Sequence, residues 1–194
     1  MPPKQKISRD LLLEHAFLIA KEQGISFVTS RSVAKAVGCS IQPVFSHFPT
    51  MEELRQATFQ YACERLMQEI LEYKDEPDFL TKTNLWVLNL ARKEPNLFEL
   101  LYLSRSYAST NLWEVMMDWE SNRQVMSAMT EKYGVSEAAC KDIFLRGFLL
   151  LFGIATMIAT NRMEISDEEA LGMMSRTITD MLASPDTLSA QNIR

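Results

Sequence analysis

Apolar residues recur along the chain at helical spacing, and the polar breaks between these runs carry the residue types that begin and end helices. Ser8, with Asp10 in the first turn, predicts a helix start. Leu12, Ala16, Ile19 and Ala20 then recur until Gly24, which gives a first helix over about 9–23. Thr29 caps a second helix over 30–37, with Val33, Ala34 and Val37 facing inward and Gly38 as its stop. Ser40 opens a short third helix, where Pro43 is tolerated near the start, Val44 and Phe48 supply the apolar side, and Pro49 ends it. The run Thr50-Met51-Glu52-Glu53 reads as a capping box that opens a long fourth helix to about residue 73.

Past the break at 74–78, the pattern predicts helices over about 79–92, 96–107 and 111–132, with Gly134 closing the last. From Ser136 to about residue 161 the chain is apolar on nearly every side, as a helix covered all round would be. Its least interrupted part, Gly147 to Ala159, is shorter than the roughly 20 residues of a membrane span, so a buried helix and no membrane partner are expected. Ser166-Asp167-Glu168-Glu169 is a second capping box, opening a last helix with Ala170, Leu171, Met174, Ile178 and Met181 on one stripe. The tail from Ser184 is polar and expected to fray. With no alternating strand pattern, the expected class is all-α with about nine helices. A head of residues 1–50 and a body of residues 51–194 would be joined through the fourth helix, able to transmit movement from one to the other.

Charge sharpens this division. The 194 residues are 47% hydrophobic and carry a net charge of −5, yet the first 50 hold six basic residues (Lys4, Lys6, Arg9, Lys21, Arg31, Lys35) against three acidic (Asp10, Glu14, Glu22). The head is therefore +3 and the remainder −8, so a polyanion is attracted to the first quarter and repelled by the rest. Cys39, Cys63 and Cys140 are odd in number and form no C-x-x-C pair, so each reads as a small core residue. The N-terminus has no signal-peptide core, which predicts a cytoplasmic protein. The chain has two histidines, no clustered metal ligands, no P-loop and neither G-x-G-x-x-G nor G-x-S-x-G, so no metal, cofactor or enzymatic activity is expected.

Two short helices joined by a turn at Gly38 fit a helix-turn-helix, whose second helix enters the DNA major groove. The run TSRSVAKAVGCSIQPVFSHF, Thr29 to Phe48, with Leu12-Leu13, Ala16 and Gly24 upstream and the capped fourth helix downstream, resembles the tetracycline-repressor (TetR) family of bacterial regulators over about residues 7–60. The resemblance implies an N-terminal three-helix DNA-binding domain followed by a helical ligand-binding and dimerisation domain. It places Ser30 and Arg31 at the DNA-facing start of helix two, and Ile41, Gln42, Pro43, Phe45, Ser46 and His47 on the recognition helix, with Ser40 at its start. Gln42 can bond adenine bidentately and an apolar group can meet a thymine methyl. Ile41 and Phe45 read more readily as packing residues than as base readers, and His47 equally as a phosphate neighbour or a helix-end histidine. Phe45 stands where the family usually has Tyr and Met51 where a Lys commonly meets the backbone, so two phosphate contacts are missing. Lys4, Lys6 and Arg9 can compensate, and the amides after Thr50 can donate to a phosphate oxygen.

For the body, the resemblance implies an inducer pocket, lipophilic or aromatic in preference, and a homodimer built on the last two helices. Trp86, Tyr102, Trp113, Met116, Met117, Phe144 and Phe148 are the candidate pocket residues, although Met and aromatics at helical spacing more often form core. Phe152, Met157, Met174, Ile178 and Met181 are the candidate dimer contacts. The expected function is a ligand-responsive repressor that binds a palindromic duplex DNA operator as a homodimer. The alternative, prompted by Phe45 and Met51, is a helical adaptor with a degenerate DNA-binding head.

Overall fold

The computed structural model describes residues 7–104 and 111–183. Lys4, Lys6, Tyr107 and the tail from Ser184 lie outside the described residues. Among the described residues ten α-helices follow in order: α1 (Arg9–Gln23), α2 (Ser30–Val37), α3 (Ile41–His47), α4 (Met51–Leu71), α5 (Phe79–Lys93), α6 (Pro95–Phe98), α7 (Leu112–Asp118), α8 (Glu120–Tyr133), α9 (Glu137–Asn161) and α10 (Asp167–Ala183). A 3₁₀ turn, Ile25–Phe27, and a π-helical stretch, Glu99–Leu103, complete them. No strand occurs among the described residues, so the fold is all-α.

The capping residues act as their chemistry dictates. Ser8 Oγ accepts from Leu11 N–H at 3.2 Å, and Ser136 Oγ accepts from Ala139 N–H at 3.3 Å. At α2 the box is reciprocal: Thr29 Oγ1 accepts from Ser32 N–H at 3.1 Å while Thr29 N–H donates to Ser32 Oγ at 2.9 Å. Serine thus fills the position usually held by Glu or Gln, and its hydroxyl also reaches the Phe27 carbonyl at 2.7 Å, tying the 3₁₀ turn to the helix behind it.

The chain forms two compact units, with α4 passing from one to the other between Leu66 and Met67. The first holds residues 7–66 together with 94–104. Its core gathers Leu12, Ala16, Phe17 and Ala20 of α1, Val33 and Ala34 of α2, Val44 of α3, Phe48, and Leu54, Ala57 and Ala62 of α4. α6 packs on α1. There Asn96 Nδ2 donates to the Lys21 carbonyl at 3.0 Å and Lys21 pairs with Glu94 at 2.8 Å, so this head cation is committed within the protein.

The second unit holds residues 67–93 and 111–183. α5 lies along α9, which also meets α8 and α10. Arg92 fastens α5 to the start of α10, its Nη1 on Asp167 Oδ1 at 2.5 Å and Nη2 on the Ile165 carbonyl at 2.9 Å.

Three expectations change. The single helix over 111–132 is broken at Trp119, whose backbone is extended (φ −91°, ψ 122°). Asn122 Nδ2 takes the Met116 carbonyl at 2.8 Å and Arg123 takes that of Met117, so side chains satisfy the orphan carbonyls of α7 and the chain can restart. The helix over 96–107 is one turn of α6 continued by the π-helical stretch as far as Leu103. Finally, α9 is not covered on all sides: Leu149 is 54% exposed and Met157 46%, with exposed Gly153 between them on the same stripe. By length and composition α9 could cross a membrane. Cys140, Ile143, Phe144, Leu151, Ile154, Ala155 and Ile158 on its other faces are buried within the chain.

Candidate nucleic-acid interface

The head is organised around the turn between α2 and α3. Gly38 adopts a left-handed conformation (φ 77°, ψ 34°), its N–H reaching back to the carbonyls of Ala34 and Lys35. Cys39 N–H adds a bond to the Ala34 carbonyl at 2.9 Å. This closure fixes the exit of α2, and Val33, Ala34, Val44 and Phe48, all at most 3% exposed, hold α3 against it. The opposite face of α3 is left open.

On that open face stand Ile41 (47% exposed), Gln42, Phe45 (43% exposed), Ser46 and His47, with Pro43 half-buried. Neither Ile41 nor Phe45 is a packing residue, contrary to the preference their apolar character gave. Val44 and Phe48 already fill the seam with α2, and a seven-residue helix has only one inward face. Two polar residues are more restricted than their types imply. Ser46 Oγ donates to the Gln42 carbonyl at 2.9 Å, which leaves only its lone pairs for a partner. His47 Nε2 lies 3.1 Å from the Ile7 carbonyl, a group that only accepts, so Nε2 carries a proton there and α3 is pinned to the start of α1. Beside it the Arg9 guanidinium sits over the Phe48 ring, 5.0 Å from its centroid.

Around this face, Ser30 is half-buried and Arg31 exposed in the first turn of α2. Ser40 precedes α3 in extended conformation and its hydroxyl makes no capping bond. Thr50 departs from its expected role. Its hydroxyl accepts from Glu53 N–H and donates to the Glu53 carboxylate, both at 3.1 Å, so a side-chain carboxylate already faces the helix start that was expected to receive a phosphate. Phe27, 56% exposed in the 3₁₀ turn before α2, has no counterpart in the sequence reading because nothing in its pattern separates it from a core residue.

In the second unit, Met116 and Phe144 are buried in one cluster with Met129, Cys140, Ile143, Leu145 and Met181, and Trp113, Met117 and Phe148 pack against it. Five of the seven candidate pocket residues thus converge, as packed core. The other two do not join them. Trp86 donates its indole N–H to Glu69 at 3.1 Å, and Tyr102 lies in the first unit against Phe98, ring centroids 5.2 Å apart. Two buried polar atoms nearby in sequence were passed over: Thr83 Oγ1 on α5 and Asp142 Oδ2 on α9 find no hydrogen-bond partner among the described residues, although Asp142 Oδ1 holds Arg146 at 2.9 Å. Buried polar groups of this kind are the signal that hydropathy hides.

Of the candidate dimer contacts, Met157 is exposed and Phe152 and Ile178 half-buried. Met174 (4% exposed) and Met181 (7%) face the interior of their own chain, the second within the cluster just described, which removes both from a surface role. Beside Met157 an open groove of about 660 Å³ is lined by Ile154, Ile158, Met163, Ile165 and Met173, with Glu168, Glu169 and Arg176 at its polar parts. Cys140 is buried as expected, whereas Cys39 and Cys63 are half-buried.

Comparison with known proteins places this architecture. No family model matches the chain. A structure described as a TetR-family transcriptional regulator from Rhodococcus sp. superposes with a TM-score of 0.63 over 90% of this chain and 98% of its own, at 18% identity. The protein has the TetR-family fold. The multidrug binding protein EbrR, solved with imidazole, shares this TetR fold with a TM-score of 0.53 over 87% of this chain and 88% of its own, at 17% identity. Among curated proteins, the nucleoid occlusion factor SlmA of Vibrio cholerae is 28% identical over 107 residues, 52% of this chain and 55% of that protein. The match therefore spans about half the length of SlmA.

Proposed function

We propose that the protein is a DNA-binding transcriptional regulator that reads duplex DNA through α3. The observation that carries this reading is the clamped α2–α3 pair: its inward side chains are buried, while Ile41, Gln42, Phe45 and Ser46 stand together in the open on a TetR-like fold. Ser40, Pro43 and His47 frame that face, with Ser30, Arg31 and Arg9 as phosphate contacts. In this reading residues 1–50 bind DNA and residues 51–194 sense and dimerise, and the protein works in the cytoplasm as a repressor on a palindromic operator.

The homodimer is supported by the exposed apolar stripe of α9, Leu149, Gly153 and Met157, with half-buried Phe152 next to it on the same helix, whereas Ile178 of α10 packs on the interior cluster. An effector is supported by the Met- and aromatic-rich cluster of the second unit and by the multidrug-binding description of EbrR. Asp142 Oδ2 and Thr83 Oγ1, buried in the same unit without a hydrogen-bond partner among the described residues, are candidate polar contacts for a lipophilic molecule carrying a hydrogen-bond donor. Its binding would weaken operator affinity by as much as it prefers the arrangement that does not bind DNA, with α4 as the element common to both units.

The test is selection of random duplex DNA by the purified protein, followed by anisotropy titration of the enriched sequence at several salt concentrations. An inverted repeat with a steep salt slope is the expected result. Failure to enrich any duplex with folded protein would overturn the reading and favour an adaptor whose exposed apolar residues on α3 meet another protein.

A further inference from the structure

If α3 is a reading helix, its chemistry restricts what it can read. From Ser40 to Thr50 the chain has neither Arg nor Lys, the side chains that most commonly read guanine through O6 and N7. The donors remaining on the helix are few, because Ser46 Oγ already gives its proton to Gln42 O and His47 Nε2 is engaged with Ile7 O. Gln42, exposed, presents one amide donor and one amide acceptor side by side, the complement of adenine N7 and N6. Beside it Ile41 and Phe45, one helical turn apart and therefore on one side of the helix, leave apolar surface in water. In the major groove a single base edge is apolar, the 5-methyl group of thymine.

We infer that α3 recognises A·T pairs, with Ile41 and Phe45 as specificity-determining residues that pack on thymine 5-methyl groups and Gln42 as the adenine reader. This rests on the DNA-binding reading above and deepens it. Among the described residues the head cations Arg9, Lys21, Arg31 and Lys35 belong to α1 and α2 and none to α3, so attraction to phosphate and discrimination among bases fall to different residues.

The decisive substitution is made in the DNA. Replacing thymine by deoxyuridine removes the methyl group and leaves the pairing and the hydrogen-bonding edge intact. Starting from the enriched duplex, each thymine of one half-site is replaced singly by uracil and affinity is measured by anisotropy. At one or two positions in the half-site the loss is expected to be about four-fold, the equivalent of one buried carbon group, and elsewhere below two-fold. In Ile41→Ala or Phe45→Ala affinity for the thymine duplex itself falls about four-fold or more and the further loss on uracil substitution at the matching position disappears; both side chains are exposed, so circular dichroism should show an unchanged helix content. Specific binding that is indifferent to every uracil, or sensitivity that survives in both variants, overturns the inference and leaves the DNA-binding reading intact. A protein that enriches no duplex at all overturns both.

Discussion

Two glycines, given the same substitution, should respond with opposite signs. Gly38 sits at φ 77° and ψ 34°, and a Cβ built there meets no other atom within 4 Å. The cost of Gly38→Ala is therefore local backbone strain alone, about 1–2 kcal/mol for a left-handed L-residue. Restriction of the unfolded chain offsets about 0.4–1 kcal/mol of that, leaving a net loss of about 1 kcal/mol. Gly147, inside α9, also has open space at Cβ, but there alanine is the better helix former by about 0.8–1 kcal/mol. Each effect is read in its own unit. Amide exchange of a peptide over residues 29–48 should quicken about five-fold in Gly38→Ala. Trp86, Trp113 and Trp119 all lie in the second unit, so their fluorescence follows its urea unfolding, and the midpoint should rise by about 0.4 M in Gly147→Ala if the slope is about 2 kcal/mol per molar. Gly38→Asn, whose side chain tolerates the left-handed region, should recover part of the loss. Unchanged or slower exchange in Gly38→Ala, or a lower midpoint in Gly147→Ala, would refute the reasoning.

On the DNA side, Gln42→Ala should cost about 1–3 kcal/mol on the best duplex and relax preference at one base pair, measured by competition with single-base variants. Arg31→Ala should weaken binding to all sequences alike and flatten the slope of log affinity against log salt by about 0.9. At the start of α10, the backbone N–H of Ser166 and then its hydroxyl donate to the Glu169 carboxylate, at 3.0 and 2.9 Å, and hold its pKa below the ordinary carboxylate value. The ionised group thus favours the fold: its contribution is full above the unfolded-state value and is lost as pH falls through the lower folded one. Ser166→Ala should accordingly flatten the acid side of stability against pH, read from amide exchange over residues 166–174. Leu149→Glu places a charge on the open stripe of α9 and should shift sedimentation from dimer to monomer mass, whereas the same result for wild-type protein at micromolar concentration would sink the homodimer.

The head was legible because its boundaries are punctuated by residues with one strong local preference. Ser8, Thr29, Gly38 and Ser136 each satisfy a specific backbone group, so α1, α2 and the start of α9 fall where these residues put them. The break at Trp119 left no such mark. It is held by Asn122 and Arg123, ordinary helix-surface residues whose side chains reach back to the carbonyls of Met116 and Met117, and that choice depends on packing rather than propensity. The reading face was legible in membership and less so in chemistry. No pattern announces that Ser46 will spend its proton on Gln42 O, whereas the capping box did announce that Thr50 and Glu53 would meet. In the second unit, size and softness identified the side chains of one cluster but also Tyr102, which the chain places in the other unit. The stripe Leu171, Met174, Ile178 and Met181 was visible, yet periodicity does not say whether a stripe covers its own core or a second copy.

The absence of Lys, Arg, Asp and Glu between Ser40 and Thr50 bears on how such a protein changes over generations. A recognition helix that anchors itself through arginines couples the choice of sequence to the strength of binding, and each change of target risks losing the site altogether. Here α3 itself carries no Lys or Arg, and the basic residues described in the head belong to α1 and α2. On the proposed DNA-binding reading, substitutions at 41, 42 and 45 would change the sequence preferred while leaving the phosphate-contacting cations in place, so such a head would be readily retargeted, by natural divergence of operators or by engineering.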